Sequence, residues 1–124
     1  MTTPQERMRS LRWGWELLTT LQVDAAVSST CAERARLLLT TYPSPEALVH
    51  LLDSAARSLP SDYAQSIAAA RELFQDVQAD GRGAPQTLRD TIFTLRHFPT
   101  IGEATSAPGV QRSVRLERWL SKEQ

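Results

Sequence analysis

Apolar residues recur along this chain in steps of three and four, the spacing that puts them on one side of a helix, and no alternating run is long enough to specify a strand. Thr3-Pro4-Gln5-Glu6 reads as a helix start, with Thr3 as cap, Pro4 at the first helical position and Glu6 closing a capping box. This first helix runs to about Gln22. Thr30-Cys31-Ala32-Glu33 repeats the capping-box spacing, and Cys31, Ala35, Leu38 and Tyr42 recur at helical intervals until Pro43. Ser44-Pro45-Glu46 opens a third helix carrying Leu48, Leu51, Leu52, Ala55 and Leu59 before Pro60. A fourth begins after Ser61, presents Tyr63, Ile67, Ala70, Phe74 and Val77 as a one-sided stripe, and stops at Asp80-Gly81-Arg82-Gly83. Pro85 opens a fifth, on which Leu88, Ile92 and Leu95 face one way until Pro99. Gly102 and Pro108 leave room only for a short turn before a last helix from about Gly109 to Ser121, with Val110, Val114, Leu116, Trp119 and Leu120. The expected fold is all-α, a single domain over residues 1–124 forming a compact bundle of about six helices.

The pattern also repeats. Placing each residue over the one 56 positions later, without gaps, matches Glu16-Leu17-Leu18 to Glu72-Leu73-Phe74, Gln22 to Gln78, Asp24 to Asp80, Leu39 to Leu95, and Tyr42-Pro43 to Phe98-Pro99. The offset is the same at both ends of the matched segment, so the expectation is two related helix-pair repeats, about 3–59 and 61–107.

On the first helix, Met8, Leu11, Trp13, Gly14, Trp15, Leu17, Leu18 and Leu21 cover well over half the circumference, leaving a polar strip of Arg9, Arg12, Glu16, Thr19 and Thr20. The simpler placement is a central helix with apolar neighbours on more than one side. The alternative is that Trp13, far round the helix from Leu11 and Leu18, projects towards a partner protein as a binding hot spot. Gly14 falls opposite Ala70 in the repeat, and small residues at both positions predict a close helix crossing there.

Composition narrows the classes. With 41% hydrophobic and 23% charged residues, the 124-residue chain has the make-up of a folded globular protein. Zero net charge removes the global pull of a dedicated nucleic-acid or anionic-membrane binder. Cys31 is the only cysteine, which excludes an intramolecular disulfide and favours a reducing compartment. No apolar run reaches membrane-span length, and the N-terminus lacks the apolar core of a secretory signal, so a cytoplasmic location is expected.

No enzyme site emerges. Cys31 lies on the apolar side of its helix, His50 sits between Glu46 and Asp53 as part of a charged surface cluster, and His97 is placed to cap a helix C-terminus. Glu72, Asp76 and Asp80 line one helix face, which reads as a solvated acidic surface. No phosphate loop, nucleophile elbow or metal-binding motif occurs, and no cofactor is expected.

Residues 31–59 have the outline of a helix-turn-helix, but Glu46, His50 and Asp53 beside the single Arg57 argue against DNA reading by its second helix. Arg112, Arg115 and Arg118 progress along the last helix, and Arg7, Arg9 and Arg12 sit near the other end. Packed side by side, the two groups would make a basic patch able to grip an acidic protein surface or a phosphate backbone.

Arg9-Ser10-Leu11-Arg12-Trp13-Gly14, together with Thr94-Leu95-Arg96-His97-Phe98-Pro99-Thr100, resembles the opening and closing signatures of a group of small proteobacterial helical proteins. Those proteins pair an Arg-x-Leu-Arg-Trp helix with a helix ending in Leu-Arg-His-Tyr/Phe-Pro. Here the signatures sit in different repeats: the first ends in Leu39-Thr40-Thr41-Tyr42-Pro43, and the second has Ala69 in place of tryptophan. The resemblance implies a small helical bacterial protein and brings no activity with it. The expected function is a non-catalytic protein-binding module, an inhibitor or immunity-type partner of another bacterial protein, using Trp13, Arg9, Arg12, Arg112, Arg115 and Arg118. The alternative is a nucleic-acid-associated regulator acting through the terminal arginines; homodimerisation stays open.

Overall fold

The structure, a computed structural model, describes the backbone of residues 4–53 and 61–99 and the side chains of 8–50 and 63–99. Five helices form this part: α1 (Pro4–Val23), α2 (Ser29–Leu38), α3 (Pro45–Asp53), α4 (Ser61–Asp80) and α5 (Pro85–His97). Among the described residues there is no strand. The expected last helix, with Arg112, Arg115, Arg118 and Trp119, lies outside the described residues, as do Ala55, Arg57 and Leu59.

Local chemistry accounts for the helix ends. At α2 the cap is Ser28, not Thr30: the Ser28 hydroxyl accepts from the Cys31 amide at 3.2 Å. The same helix ends short of Tyr42. The Thr40 and Thr41 hydroxyls donate to the carbonyls of Leu37 and Leu38, while Pro43 disfavours helical backbone at the residue before it, so Tyr42 is delivered from a turn. Ser44 caps α3 through the Ala47 amide at 3.2 Å. Gly81, at φ 67°, adopts the left-handed conformation that closes α4. The cap residue of α5 is Ala84, which has no side-chain acceptor to offer. Its amide is met instead by the Asp24 carboxylate, 3.0 Å away in the turn that follows α1.

Helix α1 is central, packing against each of the other four, and α4 packs on both α2 and α5. Leu11, Leu18, Leu21, Ile67, Leu73, Phe74 and Val77 fill the interior and are almost completely sealed from solvent. Residues aligned by the 56-position offset are buried in pairs: Leu11 and Ile67, Leu17 and Leu73, Leu18 and Phe74, Leu21 and Val77, Tyr42 and Phe98, Pro43 and Pro99.

The structure refines two expectations about packing. Helix α5 buries Thr87, Thr91 and Thr94 most deeply; of the expected stripe, Leu88 and Leu95 are half-buried against the core, while Ile92 is 43% exposed. The Thr91 hydroxyl is satisfied by the Thr87 carbonyl at 2.8 Å, which lets a threonine ridge be buried without an orphaned polar group. At Gly14 the space beside α1 is taken by side chains from the turn after α2 and from the end of α5. Two aromatic side chains converge on it, so that a Cβ added there would lie 2.7 Å from Phe98 Cε1 and closer still to Tyr42 Oη.

Candidate functional site

Trp13 reaches the seam between α1 and α5, half-buried, and meets two rings from α5. Its ring centroid lies 4.9 Å from that of Phe93 and 5.8 Å from that of His97. Phe93 and His97 are four residues apart on one helix face, and their own centroids are 5.0 Å apart. The three rings therefore form one cluster at the surface. Phe93 remains 47% exposed, so a large apolar ring is held in place by its neighbours with nearly half its area open to solvent.

Beside the cluster runs a groove of about 330 Å³ between the two helices. Trp13 and Phe93 line it, the buried Leu17 and Thr94 form its base, and Glu16, Thr20 and Asp90 supply the polar lining. Asp90 is oriented by Gln86, whose Nε2 donates to Oδ1 at 2.7 Å, and Gln86 is held in turn by Arg89 at 3.0 Å. Glu16 lies 3.5 Å from Arg12, an exposed pair that water weakens. On the outer side of Phe93, Ile92 continues the apolar surface between Arg89 and Arg96.

Of the residues singled out in the sequence, Arg9 is exposed on α1 one turn before Trp13, and Arg12 is exposed next to Glu16. Arg112, Arg115 and Arg118 lie outside the described residues. Phe93, His97, Ile92 and Asp90 were missed as site residues, although a usable signal was present. The offset aligns Cys31, Ala35 and Leu38, the apolar side of the second helix, with Thr87, Thr91 and Thr94. Carrying that inward face across turns Ile92 and Phe93 outwards.

The other chemically suggestive groups are accounted for structurally. Cys31 is buried at the start of α2. Glu72, Asp76 and Asp80 are exposed, and Asp76 takes Arg34 from α2 at 2.7 Å. Arg71 is half-buried and donates to the carbonyls of Phe98 and Pro99 at 3.0 and 3.1 Å, fixing the chain where it leaves α5. Tyr42 is buried with its hydroxyl donating to the Leu11 carbonyl, and burial pushes its phenol well above the usual tyrosine range. Among the described residues no helix is long and apolar enough to cross a membrane, and no three His, Cys, Asp or Glu side chains group as a metal site. No protein-family model, curated protein or solved structure matches the chain.

Proposed function

We propose that this protein is a non-catalytic protein-binding module that docks through the seam of α1 and α5. The supporting observation is the surface cluster of Trp13, Phe93 and His97 beside an open groove. Large aromatic rings, pre-positioned by packing, contribute binding area with little further loss of side-chain entropy, and such residues dominate interface energetics. The partner is a bacterial protein for which this chain acts as inhibitor or immunity-type partner in the cytoplasm. Its scaffold is a duplicated helix pair, a reading supported by the paired burial across the 56-residue offset.

The nucleic-acid reading draws nothing from this groove, whose charged lining residues, Glu16 and Asp90, would repel a phosphate backbone. It rests on Arg9 and Arg12 and on arginines outside the described residues.

The test is affinity capture with the full chain at physiological salt, comparing wild type with Trp13→Ala and Phe93→Ala. One specific protein is expected with wild type and at least about tenfold less with either variant, whose circular dichroism stays helical. Equal recovery by all three forms, or no specific protein at all, would overturn the reading.

A further inference from the structure

We infer that the groove between α1 and α5 receives a basic side chain of the partner, an arginine above all. The inference rests on the docking reading and names the chemistry that the groove selects.

Three observations carry it. Both charged residues lining the groove are carboxylates, Glu16 and Asp90, and no cationic side chain lines it with them. The rings of Trp13 and Phe93 line the same space, and aromatic surfaces attract a guanidinium or ammonium group, most strongly where water is partly excluded. The third observation is internal to the molecule. Helix α1 packs on α5 as α4 packs on α2, so the offset that aligns the two halves also aligns this groove with the seam of α2 and α4. There the position of Asp90 is held by Arg34 and that of Thr20 by Asp76, and those two side chains pair at 2.7 Å. Glu72 stands where Glu16 does, while Ala69 and Leu37 replace Trp13 and Phe93.

One seam thus supplies its own guanidinium. The other puts an acid, Asp90, where that arginine would start and adds two aromatic rings; Arg12 meets Glu16 only as an exposed pair at 3.5 Å, and the cation for Asp90 comes from outside. Arginine suits the site better than lysine, because its flat guanidinium stacks on rings and can bond a carboxylate through two N–H groups. Asp90 is already fixed by Gln86 through one oxygen, so it meets an incoming cation in a set orientation.

The experiment is a titration of the isotope-labelled full chain with a blocked Leu-Arg-Leu peptide, followed by NMR at the Trp13 indole N–H and the backbone amides of Asp90 and Phe93. Counterpart peptides carry citrulline or glutamate in place of arginine. Saturable shifts centred on these three residues are expected with the arginine peptide. Binding should be about tenfold weaker for citrulline, and about tenfold weaker for Asp90→Asn with arginine, at unchanged thermal stability. Equal binding of the citrulline or glutamate peptide at Trp13 overturns the inference while leaving a docking surface in place. Shifts that map elsewhere, or none, also overturn it. So does a Trp13 shift that follows protein concentration without peptide, which assigns the groove to a second copy, or one produced by a single-stranded oligonucleotide. Failure of the docking reading is seen separately, as partner capture indifferent to Trp13→Ala.

Discussion

At the scale of single residues, Gly14 is a core position with no room for a side chain. It sits on α1 where the Tyr42 hydroxyl and the Phe98 ring converge, leaving no room for a methyl group. Alanine is the better helix former by about 1 kcal/mol, yet overpacking a filled core costs about 1–3 kcal/mol, so the steric effect decides the sign. Gly14→Ala is expected to lower stability by up to about 2 kcal/mol in chemical denaturation. Adding Tyr42→Phe removes one of the two clashing atoms and should recover part of the loss, since Phe98 Cε1 remains. A double variant less stable than the sum of its singles would contradict this account of the site.

At the scale of elements, α5 depends on a residue outside itself. Asp24 accepts from the Ala84 amide, the Thr87 hydroxyl and the Ala26 amide, and these bonds, the Ala84 one first, hold its carboxyl below the ordinary 3.8. A lowered carboxylate pKa stabilises the fold above the unfolded-state value, and the contribution disappears as pH falls through the folded-state value. Asp24 uses both carboxylate oxygens and asparagine keeps only one acceptor, so Asp24→Asn should be less stable than wild type at neutral pH by about 1 kcal/mol, the order of one lost hydrogen bond. Melting curves of the two proteins should converge as pH drops below 3.8. A gap that persists in acid would mean that the charge of Asp24 is not what matters. The helix starts at Pro45 and Pro85 and the stop at Gly81 were legible beforehand, because capping and proline geometry are local. The end of α2 was not. Tyr42 continues the apolar period of that helix, and only the competing hydrogen bonds of Thr40 and Thr41, together with Pro43, take it out of register.

At the scale of the whole molecule, the two seams invite a direct exchange. Asp90→Arg with Thr20→Asp transplants the Arg34–Asp76 pair into the groove between α1 and α5. Stability should change by less than about 1 kcal/mol, as befits an exposed ion pair, while binding of the arginine peptide is lost. Retained binding would show that the two seams are not equivalent. The comparison also explains why the candidate site was half-visible from the sequence. Trp13 stood out because it lies off the main apolar face of α1. Phe93 and His97 did not, because assigning Ile92 to the interior turned the wrong side of α5 outwards.

The sequence by itself determined the helical class, most helix starts and stops and the inward face of α1. These follow from short-range spacing and from whether a backbone amide or carbonyl finds a partner within a few residues. Only the tertiary structure decided which face of α5 is buried, why position 14 must be glycine, and that Trp13, Phe93 and His97 form one cluster beside two carboxylates. Threonine can be buried once its hydroxyl is bonded, as Thr91 is to the Thr87 carbonyl and Thr87 is to Asp24, so hydropathy alone misplaces α5. Contacts between α1 and α5 join residues about eighty positions apart, and no local pattern records which of their side chains will meet.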